Sequence, residues 1–213
     1  MKTIIKTAYM RILTVGLVLV SVLGCAALIS QKIPVDSSSA RPGVSVSLRG
    51  EPRLLTGTPL EVGVHLPAVT LTDAYTMKGV DLSQLTGSVL LISVVPSLDT
   101  KVCEAQTHML GEAGKELPAG ITRITISRDT PFAQKRFAEE AGLKSITYLS
   151  DYKEGAFGKA TGLLLTDSML LARSVIIVDG TGIVRYIQVV PDLSHLPDFD
   201  LAIAKAILLR NEK

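Results

Sequence analysis

Cys103 closes the string Pro96-Ser97-Leu98-Asp99-Thr100-Lys101-Val102-Cys103, which follows the apolar run 89–95. The run reads as a buried strand and a helical pattern follows it. The thiol therefore falls in the first turn of a helix, with a Thr hydroxyl three residues upstream. Thiolate is the nucleophilic form of cysteine, and an ordinary thiol, with pKa about 8.5, is mostly protonated at neutral pH. First-turn N–H groups favour negative charge at such a position, and a nearby cation would add to that. Pro96 would shield the sulfur from bulk water, and Thr100 could share a hydrogen bond with a substrate oxygen. These features suit attack on an O–O bond, which leaves a sulfenic acid.

The only other cysteine, Cys25, ends a segment of a different kind. Residues 1–11 carry Lys2, Lys6 and Arg11 and no acid, and 12–23 is almost wholly apolar. A basic start, an apolar core and small residues at a cleavage point make a secretory signal. Val22-Leu23-Gly24-Cys25 resembles the lipobox of bacterial lipoproteins, with Leu23 where Ala or Ser is more usual; Cys25 is then the lipidated first residue of the mature chain. The alternative is an uncleaved anchor over 12–30, just long enough for the roughly 20 residues that a span needs. Both readings tether the protein to a bacterial envelope membrane with its domain outside the cytoplasm. An odd cysteine in an exported protein suggests an intermolecular partner or a reactive thiol; burial as a small hydrophobe is the plain alternative.

The remaining organisation is that of one domain. Gln31, Pro34, Ser37, Ser38, Ser39, Pro42 and Gly43 mark 26–45 as a flexible spacer. Residues 46–213 are ample for a single core. The formal charge of +2 misleads. Without Lys2, Lys6 and Arg11, 19 of the 22 basic residues face 20 acids, a net −1. With no basic block and few aromatics, nucleic-acid binding is excluded as a function class.

Residues 46–48 and 53–55 flank a Gly/Pro turn and predict a hairpin. Strands are expected at 67–72, 89–95, 121–126 and 146–149, and helices from Cys103 and from Pro131, with Asp129 or Thr130 as cap. Asp179-Gly180-Thr181-Gly182 between 174–178 and 183–189 signals a second hairpin, and 200–210 a final helix. Strands alternating with helices, then a hairpin and a helix, give an α/β fold of thioredoxin-like order: a mixed central sheet flanked by helices, with an N-terminal β-hairpin.

Pro96, Thr100 and Cys103 match the Pro-x-x-x-Thr-x-x-Cys signature of peroxiredoxins, and the fuller string resembles the bacterial thiol peroxidase subfamily. Ser127-Arg128-Asp129-Thr130-Pro131-Phe132-Ala133 through Arg136-Phe137 resembles that subfamily's second hallmark, and 171–179 resembles the segment bearing its active-site arginine. The resemblance covers 46 to about 210. It implies a peroxiredoxin fold, with Cys103 as peroxidatic cysteine, Thr100 and Arg173 as partners of the peroxide, and Pro96 as shield. It implies hydrogen peroxide or alkyl hydroperoxide as substrate and a homodimer; no cofactor or metal is expected. One departure stands out: the subfamily usually carries a resolving cysteine directly after Arg-Phe, where this chain has Ala138. The Cys103 sulfenic acid is therefore expected to be reduced by an external thiol such as that of a thioredoxin-like protein, or by Cys25 if that residue is neither lipidated nor removed.

Other residues carry less. His108 is five positions past Cys103, roughly 140° round the helix from it, which argues against a Cys-His dyad. His65 and His195 read as surface or packing histidines, Asp99 as a helix cap, and Arg136 as structural support near the active-site loop. A Cys-x-x-Cys oxidoreductase is discounted because no second Cys follows Cys103, and a copper carrier because one thiol supplies too few soft ligands. An envelope binding module without turnover is the alternative; it has no physical need to keep Pro96, Thr100, Cys103 and Arg173 together.

Overall fold

The structure is a computed structural model that describes residues 32–212. The signal or anchor segment, the lipobox and Cys25 lie outside the described residues.

Strand β6 (Val89–Val94) is the axis of the domain, and all six of its residues are buried. Leu90, Ile92 and Val94 enter one core and Val89 and Leu91 the other, as the two-residue period of a strand demands. Each such side chain contributes roughly 1.5–3 kcal/mol relative to exposure, so β6 is a fixed rail from which the Pro96 loop departs. Its neighbours are parallel β7 (Ile121–Ser127) and antiparallel β10 (Ser174–Val178). Beyond β7 lie β8 (Thr147–Ser150), β4 (Thr70–Asp73) and β5 (Gly79–Asp81); beyond β10 lies β11 (Val184–Val189). The seven strands run in the order β11-β10-β6-β7-β8-β4-β5.

One face is covered by α1 (Lys101–Ala113), α2 (Pro131–Glu140) and α4 (Phe199–Asn211), which bury Cys103, Leu110, Ala138, Phe199, Ala202 and Ala206. The other receives Phe157 of α3 (Ala156–Thr161) and Val46 and Leu55 of the hairpin β2 (Ser45–Leu48)–β3 (Glu51–Thr56). Strand β3 also pairs with β9 (Leu164–Leu165). The mixed sheet, its helical layers and the N-terminal hairpin are as expected. Pro131 opens α2, with Thr130 rather than Asp129 as its cap: the Thr130 hydroxyl accepts from Ala133 N–H.

Elements β5, β9 and α3 were not foreseen. The six residues of α3 sit between Gly155 and Gly162, both at positive φ, and are too few to print a helical period.

The expected spacer over 26–45 is corrected from Ile33 onward. Val35–Asp36 forms β1, parallel to β12 (Leu196–Pro197), and Ala40 bridges Val189. Gln188 Nε2 donates to the carbonyls of Asp36 and Ser38 at 2.7 and 3.0 Å, and Asp36 Oδ2 lies 3.0 Å from His195 Nδ1. Pro and Ser deny this segment a period of its own, but not neighbours. It straps the outer edge of β11, which would otherwise offer unpaired backbone groups to another chain. Among the described residues no helix is long and apolar enough to cross a membrane.

Candidate active site

The parallel strands β6 and β7 end side by side, and their following loops form the site, the usual place for ligands in open α/β sheets. The loop after β6 is pinned by the one after β7. Asp129 accepts from Ser97 Oγ at 2.7 Å, Leu98 N–H at 2.8 Å and Ser127 Oγ at 2.8 Å. The Ser150 hydroxyl donates to the Asp129 carbonyl. With its loop fixed, α1 starts at Lys101 and places Cys103 in the first turn.

Thr100 precedes the helix in an extended conformation, and its side chain makes no capping bond. Its hydroxyl instead lies 2.9 Å from Cys103 Sγ and 3.2 Å from the Ser97 carbonyl. A hydroxyl has one proton. While sulfur is a thiol, S–H can donate to Oγ1 and Oγ1 to Ser97; once sulfur is an anion, the hydroxyl proton can turn to it.

Arg173, immediately before β10, is the largest side chain to be fully enclosed, at 2% exposure. Its Nε and Nη2 donate to the Leu193 carbonyl at 3.1 and 3.0 Å, Nη1 to Gln106 Oε1 at 2.8 Å, and Nη2 reaches Cys103 Sγ at 3.4 Å. No carboxylate is among these partners. Gln106 is fixed in turn, its Nε2 donating to Ser93 Oγ at 2.8 Å and to the Val94 and Ser174 carbonyls.

Pro96, Thr100 and Arg173 line a cleft of about 730 Å³ with Leu48, Leu165 and Leu193. Cys103 is wholly buried, so the way to its sulfur runs past the partners that face the cleft. Cys103, Thr100, Arg173 and Pro96 are thus brought to one place. Cys25 lies outside the described residues.

One further expectation is corrected and two others hold. Asp99 does not cap α1; its carboxylate pairs with Arg136 at 3.5 Å, which gives Arg136 the structural part expected near this loop. His108 pairs with Glu104 at 4.0 Å along the helix surface, and no contact joins it to the sulfur. Gln106 and Asp129, which hold the arginine and the loop, were not read as site residues. The available signals were Gln106 one turn after Cys103 and Asp129 in the second hallmark.

Residues 61–208 match the redoxin family. A thiol peroxidase of Halalkalibacterium halodurans is 40% identical over 166 residues, covering 77% of this chain and 99% of that protein. The chain is a peroxiredoxin of the thiol peroxidase subfamily. A Listeria monocytogenes thiol peroxidase is 39% identical over 161 residues, covering 76% of this chain and 96% of its own. The crystal structure of a peroxiredoxin-like protein from Aquifex aeolicus superposes with a TM-score of 0.73 at 32% identity, over 80% of this chain and 99% of that one. A Chromobacterium violaceum thiol peroxidase structure has a TM-score of 0.70 at 23% identity, over 79% of this chain and 98% of its own, and shares the fold. This peroxiredoxin is accordingly an enzyme that reduces peroxides at the expense of a thiol.

Proposed function

We propose that Cys103 is the peroxidatic thiol of a membrane-anchored peroxidase acting on hydrogen peroxide and alkyl hydroperoxides, and that an external thiol regenerates it. The observation that carries this reading is the contact of Arg173 Nη2 and Thr100 Oγ1 with the Cys103 sulfur, at 3.4 and 2.9 Å. Sulfur attacks the nearer peroxide oxygen as the O–O bond breaks, giving Cys103 sulfenic acid; the leaving oxygen takes a proton and departs as alcohol or water. The Arg173 guanidinium, permanently charged, stabilises the anion on sulfur and the charge growing on the leaving oxygen. The Thr100 hydroxyl orients the peroxide, and Pro96 keeps bulk water off the sulfur.

With Ala138 in place of a nearby resolving cysteine, the sulfenic acid passes to a separate donor. A thioredoxin-like protein and a glutaredoxin working with glutathione are the candidate classes. By likeness to its subfamily the enzyme is a homodimer, and its N-terminal segment makes it an envelope lipoprotein acylated at Cys25.

Peroxide added to the purified enzyme is expected to give a sulfenate at Cys103 that dimedone traps, and Cys103→Ser to abolish turnover with its circular dichroism unchanged. Turnover retained by Cys103→Ser would mean another nucleophile. For the anchor, cells fed labelled palmitate are expected to label the wild type and not Cys25→Ala; equal labelling would remove the lipoprotein assignment.

A further inference from the structure

Cys103 is the only cysteine among the described residues, and Ala138 is fully buried. A sulfenic acid at Cys103 has no second thiol beside it among the described residues, and the cleft lined by its partners Thr100 and Arg173 is the approach that the structure offers a donor thiol. At about 730 Å³ the cleft falls within the roughly 300–1,000 Å³ usual for small-molecule sites. Its wall carries Arg49, Arg53 and Lys101 besides Arg173, and Asp167 is its one carboxylate. Asp167 is already paired with Arg53 at 3.1 Å. Arg49 and Lys101 are exposed, and among the described residues neither side chain has an ionic or hydrogen-bonding partner. Arg49 is nevertheless held in place, since its turn is fixed by its own N–H donating to Asp192 at 3.1 Å. Lys101 stands two residues before the reactive sulfur and Arg49 comes from the N-terminal hairpin, so the two free cations reach the cleft from separate elements.

We propose that this cleft binds a small thiol bearing carboxylates, of the glutathione type, with Arg49 and Lys101 as its counter-charges. The inference rests on the peroxidatic reading of Cys103. The bound thiol forms an S–S bond to Cys103 as the sulfenic S–O bond breaks; its proton goes to the departing hydroxyl, which leaves as water. A second molecule of the same thiol attacks the mixed disulfide and forms the symmetrical disulfide, and the Cys103 thiol returns. The sum is one peroxide and two thiols consumed, with one alcohol, one water and one disulfide released. A folded donor and a small thiol alike must reach a sulfur that is wholly buried; a small thiol can approach it from inside the cleft, past Thr100 and Arg173, which touch the sulfur and line the wall.

The test uses the full chain, hydrogen peroxide, and three thiols of different charge: glutathione (anionic), 2-mercaptoethanol (neutral) and cysteamine (cationic). Wild type is compared with Arg49→Glu and Lys101→Glu, and the variant-to-wild-type ratio for each thiol cancels that thiol's intrinsic reactivity. Each variant is expected to raise the KM for glutathione on the order of tenfold, to change that for 2-mercaptoethanol less than about twofold, and to lower that for cysteamine. One equivalent of peroxide followed by glutathione is expected to leave a glutathione adduct on Cys103 by intact mass. An equal loss with all three thiols would assign the two residues a structural part and overturn the proposal. So would a dimedone-trappable sulfenate that glutathione leaves untouched while a thioredoxin reduces it. Failure to form any sulfenate would instead bring down the peroxidatic reading beneath it.

Discussion

The Arg173 guanidinium is enclosed with the Leu193 carbonyl, the Gln106 amide oxygen and the Cys103 sulfur around it. A buried charge is costly unless it is paired, and of these three atoms only the sulfur can become an anion. The arginine and a thiolate therefore stabilise each other. Lys at this position would keep the charge but lose the planar fork that reaches three acceptors at once. Arg173→Lys is expected to lower kcat/KM for peroxide by roughly a hundredfold, the scale of a misplaced reacting group. It should also cost on the order of 2 kcal/mol, from hydrogen bonds of a charged donor left unmade. Stopped-flow peroxide reduction and urea unfolding check the two parts, and near-wild-type oxidation would show that charge alone suffices. Cys103, Thr100 and Pro96 were legible in the sequence because one loop and one helical turn fix their spacing. Arg173 lies 70 residues away and reads as a strand-edge arginine unless the family is recognised. Gln106 reads as one more polar helix residue; its burial is decided by Ser93 and Arg173, which no local pattern reveals.

The arginine is positioned by elements that never touch the sulfur. Leu193, whose carbonyl receives two of its N–H groups, sits in a loop tied to the N-terminal hairpin: Leu193 N–H donates to the Ser47 carbonyl at 2.8 Å and Ser47 N–H to that of Pro191 at 2.7 Å. Asp192 locks this junction, accepting from the Ser194 N–H and hydroxyl, the N–H groups of Arg49 and Gly50, and the Ser47 hydroxyl. Burial alone would push the Asp192 carboxyl up, but the bonds from Ser194, Arg49 and Ser47 outweigh it and hold the group well below the usual carboxylate range. Because the folded state favours the ionised form, its contribution is complete above the unfolded value, about pH 4, and is lost as pH falls below that. Asp192→Asn is expected to be less stable than wild type at pH 7, with the gap closing as pH is taken from about 4 downward. Urea titrations across that range measure it, and a gap constant with pH would show that the carboxylate's charge is not what locks the junction. The hairpin itself was legible from its Gly/Pro turn. Its second task, bracing the loop behind the arginine, was not, because Ser47 and Asp192 are 145 residues apart.

At the scale of the whole molecule, the sheet ends in β11 on one side and β5 on the other, and β11 lies next to the strand that follows Arg173. The segment from Ile33 to the first hairpin meets the β11 edge through the Ala40 bridge to Val189 and the bonds from Gln188, and is tied down by the pairing of β1 with β12. Sequence reading recovered the sheet and its helical layers, because long runs with a clear period name themselves. It missed the strap, because two-residue pairings and single bridges have no period, and Pro, Ser and Gly look alike in a free linker and in a fitted one. The two descriptions lead to different behaviour. A free spacer can be removed at no cost to the domain, whereas a strap cannot. A chain begun at Val44 is expected to melt several degrees below one begun at Ile33, since a loss on the order of 1 kcal/mol shifts Tm by roughly 2–4 °C in a domain of this size. It is also expected to aggregate at lower concentration, through the uncovered edge of β11. Its peroxide reactivity should fall less than its stability, because Arg173, Gln106 and the Asp192 junction all lie outside the deleted segment. Equal melting temperatures and equal solubility for the two chains would return 33–45 to the role of a spacer.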